Sequence, residues 1–281
     1  MNQFFLASAK RCLDQFLRAA CLTAFSFYFL CTTTVFAGEV VDIKTRDTTI
    51  RVLIEGPSNP PAVIAIFHGG DGAVEISDQG EIGKGRSNFA VTTRRGFQEK
   101  GYATAVVAAP TDMGARLTSQ RGSDEYAADF GNVMQYLRER FKAPVWVHGT
   151  SRGTISIALP VPKIKEPIKR PDGIIFSSSV TLSNSRSKHA FDNVLMGDLE
   201  KITVPVLVVA HEKDTCRVTP PSGAKQIADA LKNAKPVKVK IFDAPDEVAK
   251  GDECGPTGHH GYPSIRGQVI NAMIEFISHQ K

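Results

Sequence analysis

The feature that most constrains the fold of this chain is a series of short, nearly continuous apolar runs separated by stretches with helical periodicity. Residues 62–67 (AVIAIF) and 204–210 (VPVLVVA) are two such runs. Runs of this length fit strands that are buried on both faces, as in parallel sheets covered by helices. Residues 123–141 repeat apolar side chains along one helical face. The alternation predicts an α/β fold with a mostly parallel sheet and helices on both faces.

The remaining segments extend this pattern along the chain. Further strands are predicted at residues 40–43, 48–55, 103–108, 144–148, 173–176 and 237–242, and further helices near 88–99, 222–231 and 264–278. The connection 177–201 is the natural place for a small cap over a site. It is too short to be a separate domain, so residues 38–281 are predicted to form a single domain.

Residues 1–37 are predicted to be a signal peptide rather than part of the core. Lys10, Arg11 and Arg18 precede an apolar run at 19–30. The short side chains at positions 35 and 37 suit cleavage after residue 37. The apolar run falls short of the roughly 20 residues that a membrane span needs.

The predicted destination of the mature chain is the periplasm or the medium, if the source is bacterial. Contact with the membrane is then expected only during export. An uncleaved anchor is the alternative. A lipoprotein is disfavoured because Leu30 stands before Cys31, where a small residue is expected.

Charge gives no support for a nucleic-acid partner. Removal of residues 1–37 takes away three basic residues and one acidic residue, so the formal net charge falls from +5 to +3. This excess is small and scattered, whereas nucleic-acid binding proteins concentrate basic residues on one face. The basic stretch 163–170 (KIKEPIKR) is interpreted as a solvated loop.

A candidate nucleophile lies in Gly149-Thr150-Ser151-Arg152-Gly153, a G-x-S-x-G motif. The motif is weak alone, but here an apolar strand precedes it and a helix can follow it. Such a turn holds the serine in a strained backbone conformation with its hydroxyl exposed. Pro160 and Pro162 predict that this helix is short, about two turns. The motif predicts Ser151 as the nucleophile.

A serine nucleophile needs a base, and the base needs a carboxylate to orient it. In this architecture the chain order is serine, acid, histidine. Asp214 follows the run 204–210, at the strand end where ligands collect on parallel sheets. Glu212 is the nearest rival. Other carboxylates are disfavoured by their position, namely Asp192, Asp198, Asp243 and Asp246.

The base is expected between the last strand and the final helix, where Gly258-His259-His260-Gly261-Tyr262 stands. Two adjacent histidines cannot both face the serine. His260 is preferred because Gly261 permits close approach of the backbone, and His259 is the runner-up. The histidines at 68, 148 and 211 are interpreted as ordinary strand-end residues.

Acyl transfer also needs donors for the developing oxyanion. The backbone N–H of Arg152, directly after the nucleophile, is one predicted donor. The other is expected in the turn His68-Gly69-Gly70-Asp71-Gly72 after a buried strand, and Gly70 is the preferred residue.

The mature chain retains two cysteines, Cys216 and Cys254. An even pair in an oxidising compartment is a disulfide candidate. Cys216 lies two residues after Asp214, and Cys254 lies six residues before His260. A bond between them would tie the loop of the acid to the loop of the base.

Together HGGDG, GTSRG, PVLVVAHEKDTC and GHHGY, in this order, resemble the α/β-hydrolase superfamily over most of residues 50–280. They look closest to its small dienelactone-hydrolase-like and secreted bacterial esterase-like members. The resemblance implies an eight-stranded, mostly parallel sheet, a triad of Ser151, Asp214 and His260, and no cofactor or metal. Cysteine-type dienelactone chemistry is not implied, because the nucleophile position holds serine.

These residues predict hydrolysis of a small-molecule acyl substrate through an acyl-enzyme. Esters are expected before amides, since alcohols leave more easily. A peptidase or amidase using the same triad is one alternative, and a non-catalytic binding protein with the same fold is another. The sequence leaves the substrate and the oligomeric state open.

Overall fold

A computed structural model describes residues 38–114, 116–117, 119–183, 193–243 and 251–280 of the chain. These residues all belong to one compact unit. The predicted signal at 1–37 lies outside the described residues, as does part of the predicted cap, residues 184–192. The described part of that connection contains two short 3-10 turns, Val194–Met196 and Leu199–Lys201.

The described residues form eight strands and five α-helices, which match the predicted elements to within a few residues. The strands are β1 (Glu39–Thr45), β2 (Thr48–Glu55), β3 (Val63–Phe67), β4 (Ala103–Pro110), β5 (Val145–Ser151), β6 (Gly173–Ser179), β7 (Val206–His211) and β8 (Val237–Phe242). The helices are α1 (Phe89–Glu99), α2 (Asp124–Phe141), α3 (Arg152–Ala158), α4 (Gly223–Ala230) and α5 (Arg266–Ser278).

The eight strands form one sheet in the order β1-β2-β4-β3-β5-β6-β7-β8. β2 pairs antiparallel with both β1 and β4. The remaining neighbours, from β4 to β8, pair in parallel. The predicted eight-stranded, mostly parallel sheet is therefore confirmed.

Helices cover both faces of the sheet. On one face, α2, α3 and α4 pack against the strands, and the rings of Phe67 and Phe130 stack with centroids 5.0 Å apart. On the other face lie α1 and α5, where Trp146 contacts Phe276 edge to face at 5.9 Å. All five residues of β3 are buried, which explains its uninterrupted apolar sequence.

The parallel strands end along the same edge of the sheet, so the loops that follow them lie together. β3 ends just before the glycine-rich turn, β5 ends at the candidate nucleophile, and β7 ends just before the candidate acid. α3 has seven residues, as the two prolines after it predicted. No helix among the described residues is long and apolar enough to cross a membrane.

Candidate active site

Ser151 lies at the turn between β5 and α3. Its backbone has φ 56° and ψ −128°. A positive φ is uncommon for any residue other than glycine and persists only where the surrounding structure enforces it. Ser151 therefore occupies the strained strand-to-helix turn that the G-x-S-x-G motif predicted.

At the two glycine positions of the motif, the neighbouring backbone leaves no room for a side chain. A Cβ built on Gly149 would lie 2.5 Å from the carbonyl oxygen of Gly153. A Cβ on Gly153 would lie 2.3 Å from the carbonyl oxygen of Phe67. Both obstacles are main-chain atoms, so a side chain at either position would displace a strand or the helix.

Asp214 and His260 are brought together by the loops after β7 and before α5. His260 Nδ1 lies 3.0 Å from Asp214 Oδ2, and both side chains are buried. The ring of His259 instead packs against His211, with centroids 4.6 Å apart. Of the two histidines, the structure therefore places the preferred one, His260, on the predicted acid.

The rival carboxylates lie elsewhere. Glu212 is exposed, and Asp243 is exposed near Lys213 Nζ at 3.8 Å. Asp198 is exposed and pairs with Lys201 at 2.6 Å. The remaining two, at positions 192 and 246, lie outside the described residues.

Thr219 contacts both Asp214 and His260, and sequence analysis did not identify it. Its Oγ1 donates to Asp214 Oδ2 at 3.0 Å and lies 3.1 Å from His260 Nδ1. The other carboxylate oxygen, Oδ1, accepts from the backbone N–H of Cys216 at 2.9 Å. A carboxylate at Nδ1 favours the tautomer with its proton there, which leaves Nε2 able to accept a proton.

A second unpredicted group, Tyr262 and Ser178, fastens the histidine loop to the sheet. The buried Tyr262 hydroxyl donates to the carbonyl of Val209 at 3.2 Å and accepts from the backbone N–H of Ser178 at 3.2 Å. Ser178 Oγ lies within hydrogen-bond distance of the carbonyl of His260, at 3.0 Å, and of the tyrosine hydroxyl, at 2.9 Å. These contacts fix the backbone at the candidate base and just after it.

The predicted disulfide is present in the structure. Cys216 and Cys254 are bonded, and their Cα atoms lie 4.7 Å apart. The bond joins the loop that carries Asp214 to the loop that leads to His260. The disulfide therefore supplements the hydrogen bonds that hold Asp214 and His260 together.

Ser151 and His260 open into one cleft of about 380 Å³. Within the described part of the chain no hydrogen bond joins the serine hydroxyl to the imidazole, and such bonds often tighten only when substrate is bound. The cleft is lined by His68, Gly70, Ser87, Asn88, Phe89, Thr150, Ser151, Arg152, Arg217, Val218, Asp252, Cys254, Gly255, Pro256, His260 and Gly261.

Both predicted oxyanion donors line this cleft. Gly70 adopts φ +56°, and its carbonyl is turned toward the buried Arg121, whose Nη2 donates to it at 2.9 Å. Arg152 is the first residue of α3, so its N–H has no acceptor within the helix. His68 also lines the cleft, and burial lowers the pKa of its imidazole.

One group of side chains has the proximity, but not the chemistry, of a metal site. Ligand atoms of Asp214, Cys216 and His260 lie within 4.8 Å of one another. The sulfur of Cys216 is committed to the disulfide, and metals bind the thiolate form of cysteine. The other two side chains are hydrogen-bonded to each other. The group fits an acid–base pair better than a metal.

Comparison with known proteins gives structural matches only. No protein-family model matches the chain. A search of curated proteins also finds no match. An acylaminoacyl peptidase from Pyrococcus horikoshii is similar over 86% of this chain, with 15% identity and a TM-score of 0.57; the chain spans 41% of that longer chain.

Two further solved structures match along nearly their whole length. A cold-adapted esterase from an Arctic intertidal metagenomic library is 12% identical over 84% of this chain and 91% of its own, with a TM-score of 0.52. An alpha-beta serine hydrolase homologue from Coxiella burnetii is 15% identical over 84% and 97%, with a TM-score of 0.54.

The sheet, the strained serine turn and these likenesses define the class of structure: the chain has the α/β-hydrolase fold. The predicted resemblance to that superfamily is thus confirmed at the level of fold. The narrower likeness to dienelactone-hydrolase-like members is not confirmed by the neighbours described above.

Proposed function

We propose that this protein is a serine hydrolase that cleaves carboxylic esters through an acyl-enzyme. The observation that carries the proposal is the buried contact of His260 Nδ1 with Asp214 Oδ2, beside a strained Ser151 in the same cleft. A nucleophile, a base and a group that orients the base are the parts that such chemistry needs.

In the proposed mechanism, Ser151 Oγ attacks the substrate carbonyl while His260 Nε2 takes its proton. Asp214 holds the imidazole through Nδ1 and stabilises its positive charge. The N–H groups of Gly70 and Arg152 bind the oxyanion, and each such donor typically contributes about 3–4 kcal/mol to the transition state. The imidazolium then protonates the leaving alcohol, and water hydrolyses the acyl-enzyme by the same steps.

Esters are proposed before peptides because the cleft is small and alcohols leave more readily than amines. One structural neighbour is an esterase and another is a peptidase whose chain is more than twice as long as the region matched. Short esters and peptides assayed side by side distinguish the two substrate classes.

The decisive experiment is labelling of the folded protein with a fluorophosphonate probe. Wild type is expected to react, and Ser151→Ala is expected to abolish the reaction. His260→Ala should lower the labelling rate by at least about three orders of magnitude. The adjacent His259→Ala serves as the matched control and should change it only a few-fold.

Two results would contradict the proposal. Folded wild type that does not label would mean that the serine is not activated, and a binding protein with this fold would then be the better hypothesis. A large loss of labelling rate with His259→Ala and none with His260→Ala would show that the base is His259 and not the proposed His260.

We also propose that the mature protein is exported. The structure contains a disulfide, and such bonds persist mainly in oxidising compartments. Intact mass measurement of protein recovered from the periplasm or medium should give a chain that begins at Gly38. A chain that retains residues 1–37 would contradict cleavage.

A further inference from the structure

Asn88 stands at the N-cap of α1 but does not cap it. Asparagine is favoured at this position because its side-chain oxygen accepts an N–H of the first helical turn. The side chain of Asn88 makes no such bond. Its Oδ1 is buried and has no hydrogen-bond partner among the described residues. The side chain of Asn193, also at an N-cap, behaves ordinarily and accepts from the N–H of Leu195 at 2.9 Å.

The amide of Asn88 instead faces the glycine-rich turn beside the nucleophile. A Cβ built on Gly69 would lie 3.0 Å from Asn88 Nδ2, 3.3 Å from Ser151 Cβ and 2.8 Å from the carbonyl oxygen of Thr150. The amide nitrogen and the serine therefore lie close to the same point. Asn88, Gly70 and Ser151 all line the cleft. Gly69 leaves the space between amide and serine free of any side chain.

We propose that Asn88 is a third oxyanion donor, acting through its Nδ2–H. An amide nitrogen carries two N–H donors and stays uncharged at every working pH. Preorganised side-chain amides can stabilise a developing oxyanion in the same way as backbone N–H groups. The proposal rests on the hydrolase function proposed above and adds a residue to its site.

The step requires no proton from Asn88. Ser151 Oγ bonds to the carbonyl carbon, its proton passes to His260 Nε2, and the carbonyl π electrons move onto the oxygen. Asn88 only donates a hydrogen bond to that oxygen, together with the N–H groups of Gly70 and Arg152. Asn88 departs from two general tendencies: its side chain does not cap the helix that it precedes, and its buried oxygen has no hydrogen-bond partner among the described residues. Such departures are expected at functional sites.

The test compares Asn88→Ala with Asn193→Ala, a matched change at an N-cap that does cap. Measurements are kcat and KM for 4-nitrophenyl acetate and butyrate, the fluorophosphonate labelling rate and the thermal unfolding midpoint. Asn88→Ala should lower kcat and the labelling rate by a common factor of about 10²–10³, with KM changed less than about twofold. Its midpoint should not fall. Asn193→Ala should lower the midpoint and keep kcat.

Asn88→Asp provides a second variant with nearly the same shape. It replaces the donor by an acceptor that repels the oxyanion, so its kcat should fall at least as far as that of Asn88→Ala. A kcat within about threefold of wild type for either variant would overturn the proposal, as would a change confined to KM. Wild type that fails to label would overturn the hydrolase function itself, whereas labelled wild type with unaffected Asn88 variants would remove only Asn88 from the site.

Discussion

The two halves of the candidate active site are held in place by different means. The Ser151 turn is fixed by main-chain packing, because Gly149 and Gly153 leave no room for a Cβ against neighbouring backbone. The Asp214–His260 pair is fixed by side chains and a covalent bond between loops that are far apart in sequence. The first half is a property of one short segment, whereas the second depends on the whole fold.

This difference predicts how each half should fail. A change in the serine turn meets rigid backbone and should disturb stability and chemistry together. A substitution near Asp214 and His260 removes one of several contacts that hold their loops. Its effect on stability and activity should depend on how much of the loop that contact holds. Four variants test this contrast: the double cysteine variant, Gly153→Ala, Tyr262→Phe and His148→Asn.

The largest expected effect is on the loop half, from the double change Cys216→Ser and Cys254→Ser. The cysteines are 38 residues apart, and the chain-entropy model gives about 4 kcal/mol of stabilisation for a loop of that length. Denaturant unfolding should show this loss, and kcat should fall because acid and base lose their covalent tie. A reductant should lower the stability of wild type to that of the double variant and leave the double variant unchanged. An equal response of the two proteins to reductant would contradict the prediction.

Next in size is Gly153→Ala in the serine turn. The new Cβ would meet the carbonyl oxygen of Phe67 at 2.3 Å, and main chain cannot rotate away as a side chain can. We expect a loss of about 3 kcal/mol in unfolding free energy and a sharp fall in fluorophosphonate labelling. Gly267→Ala in α5 is the control, since a Cβ there meets nothing within 4 Å. Its stability should hold or rise; a variant of Gly153 as stable as this control would show that the turn is less rigid than the contacts indicate.

The contrast also explains what sequence analysis could predict. The strands were predictable because burial on both faces leaves a local mark, the apolar run, as at 62–67 and 204–210. The position of Ser151 at the strand-to-helix turn was predictable because its glycines lie within the same five residues. The position of Asp214 just after β7 was predictable from chain order along the strands.

The disulfide beside the Asp214–His260 pair was predicted, but the hydrogen bonds that support the pair were not predictable from local patterns. Ser178 and Tyr262 are 84 residues apart in sequence, and nothing near either one signals their contact. Nothing in the sequence around Thr219 distinguishes it from other loop threonines, because its contacts with Asp214 and His260 form only in the folded protein. The preference for His260 over His259 rested on the following Gly261, and the structure does place the ring of His260 against Asp214.

Tyr262→Phe is expected to have a moderate effect. It removes the hydroxyl and leaves the N–H of Ser178 and the carbonyl of Val209 without that partner in a buried setting. A loss of about 2 kcal/mol in unfolding free energy is expected, with a several-fold fall in kcat as the His260 loop loosens. Tyr136→Phe is the control, because its hydroxyl contacts Arg140 at the surface. Equal stabilities of the two variants would show that the hydroxyl of Tyr262 does not hold the loop.

The smallest effect over the range measured, about 1.4 kcal/mol between pH 6 and pH 5, concerns His148, which lies beneath the serine turn in β5 and is fully buried between Thr93 and Ser177. Burial lowers the pKa of His148 to about 3, whereas an unfolded histidine titrates near 6.5. Above pH 6.5 both states are neutral; below it only the unfolded chain takes the proton, so folding stability should fall by about 1.4 kcal/mol per pH unit down to about pH 3.

His148→Asn loses the two ring contacts and should be less stable than wild type at pH 8. Because it lacks the titrating group, that gap should narrow as the pH falls through 6 and 5. A gap that stays constant in denaturant titrations across this range would mean that the imidazole takes up its proton at the same pH in the folded and unfolded states, so burial would not lower its pKa. The serine turn would then rest on a charged support at pH 5.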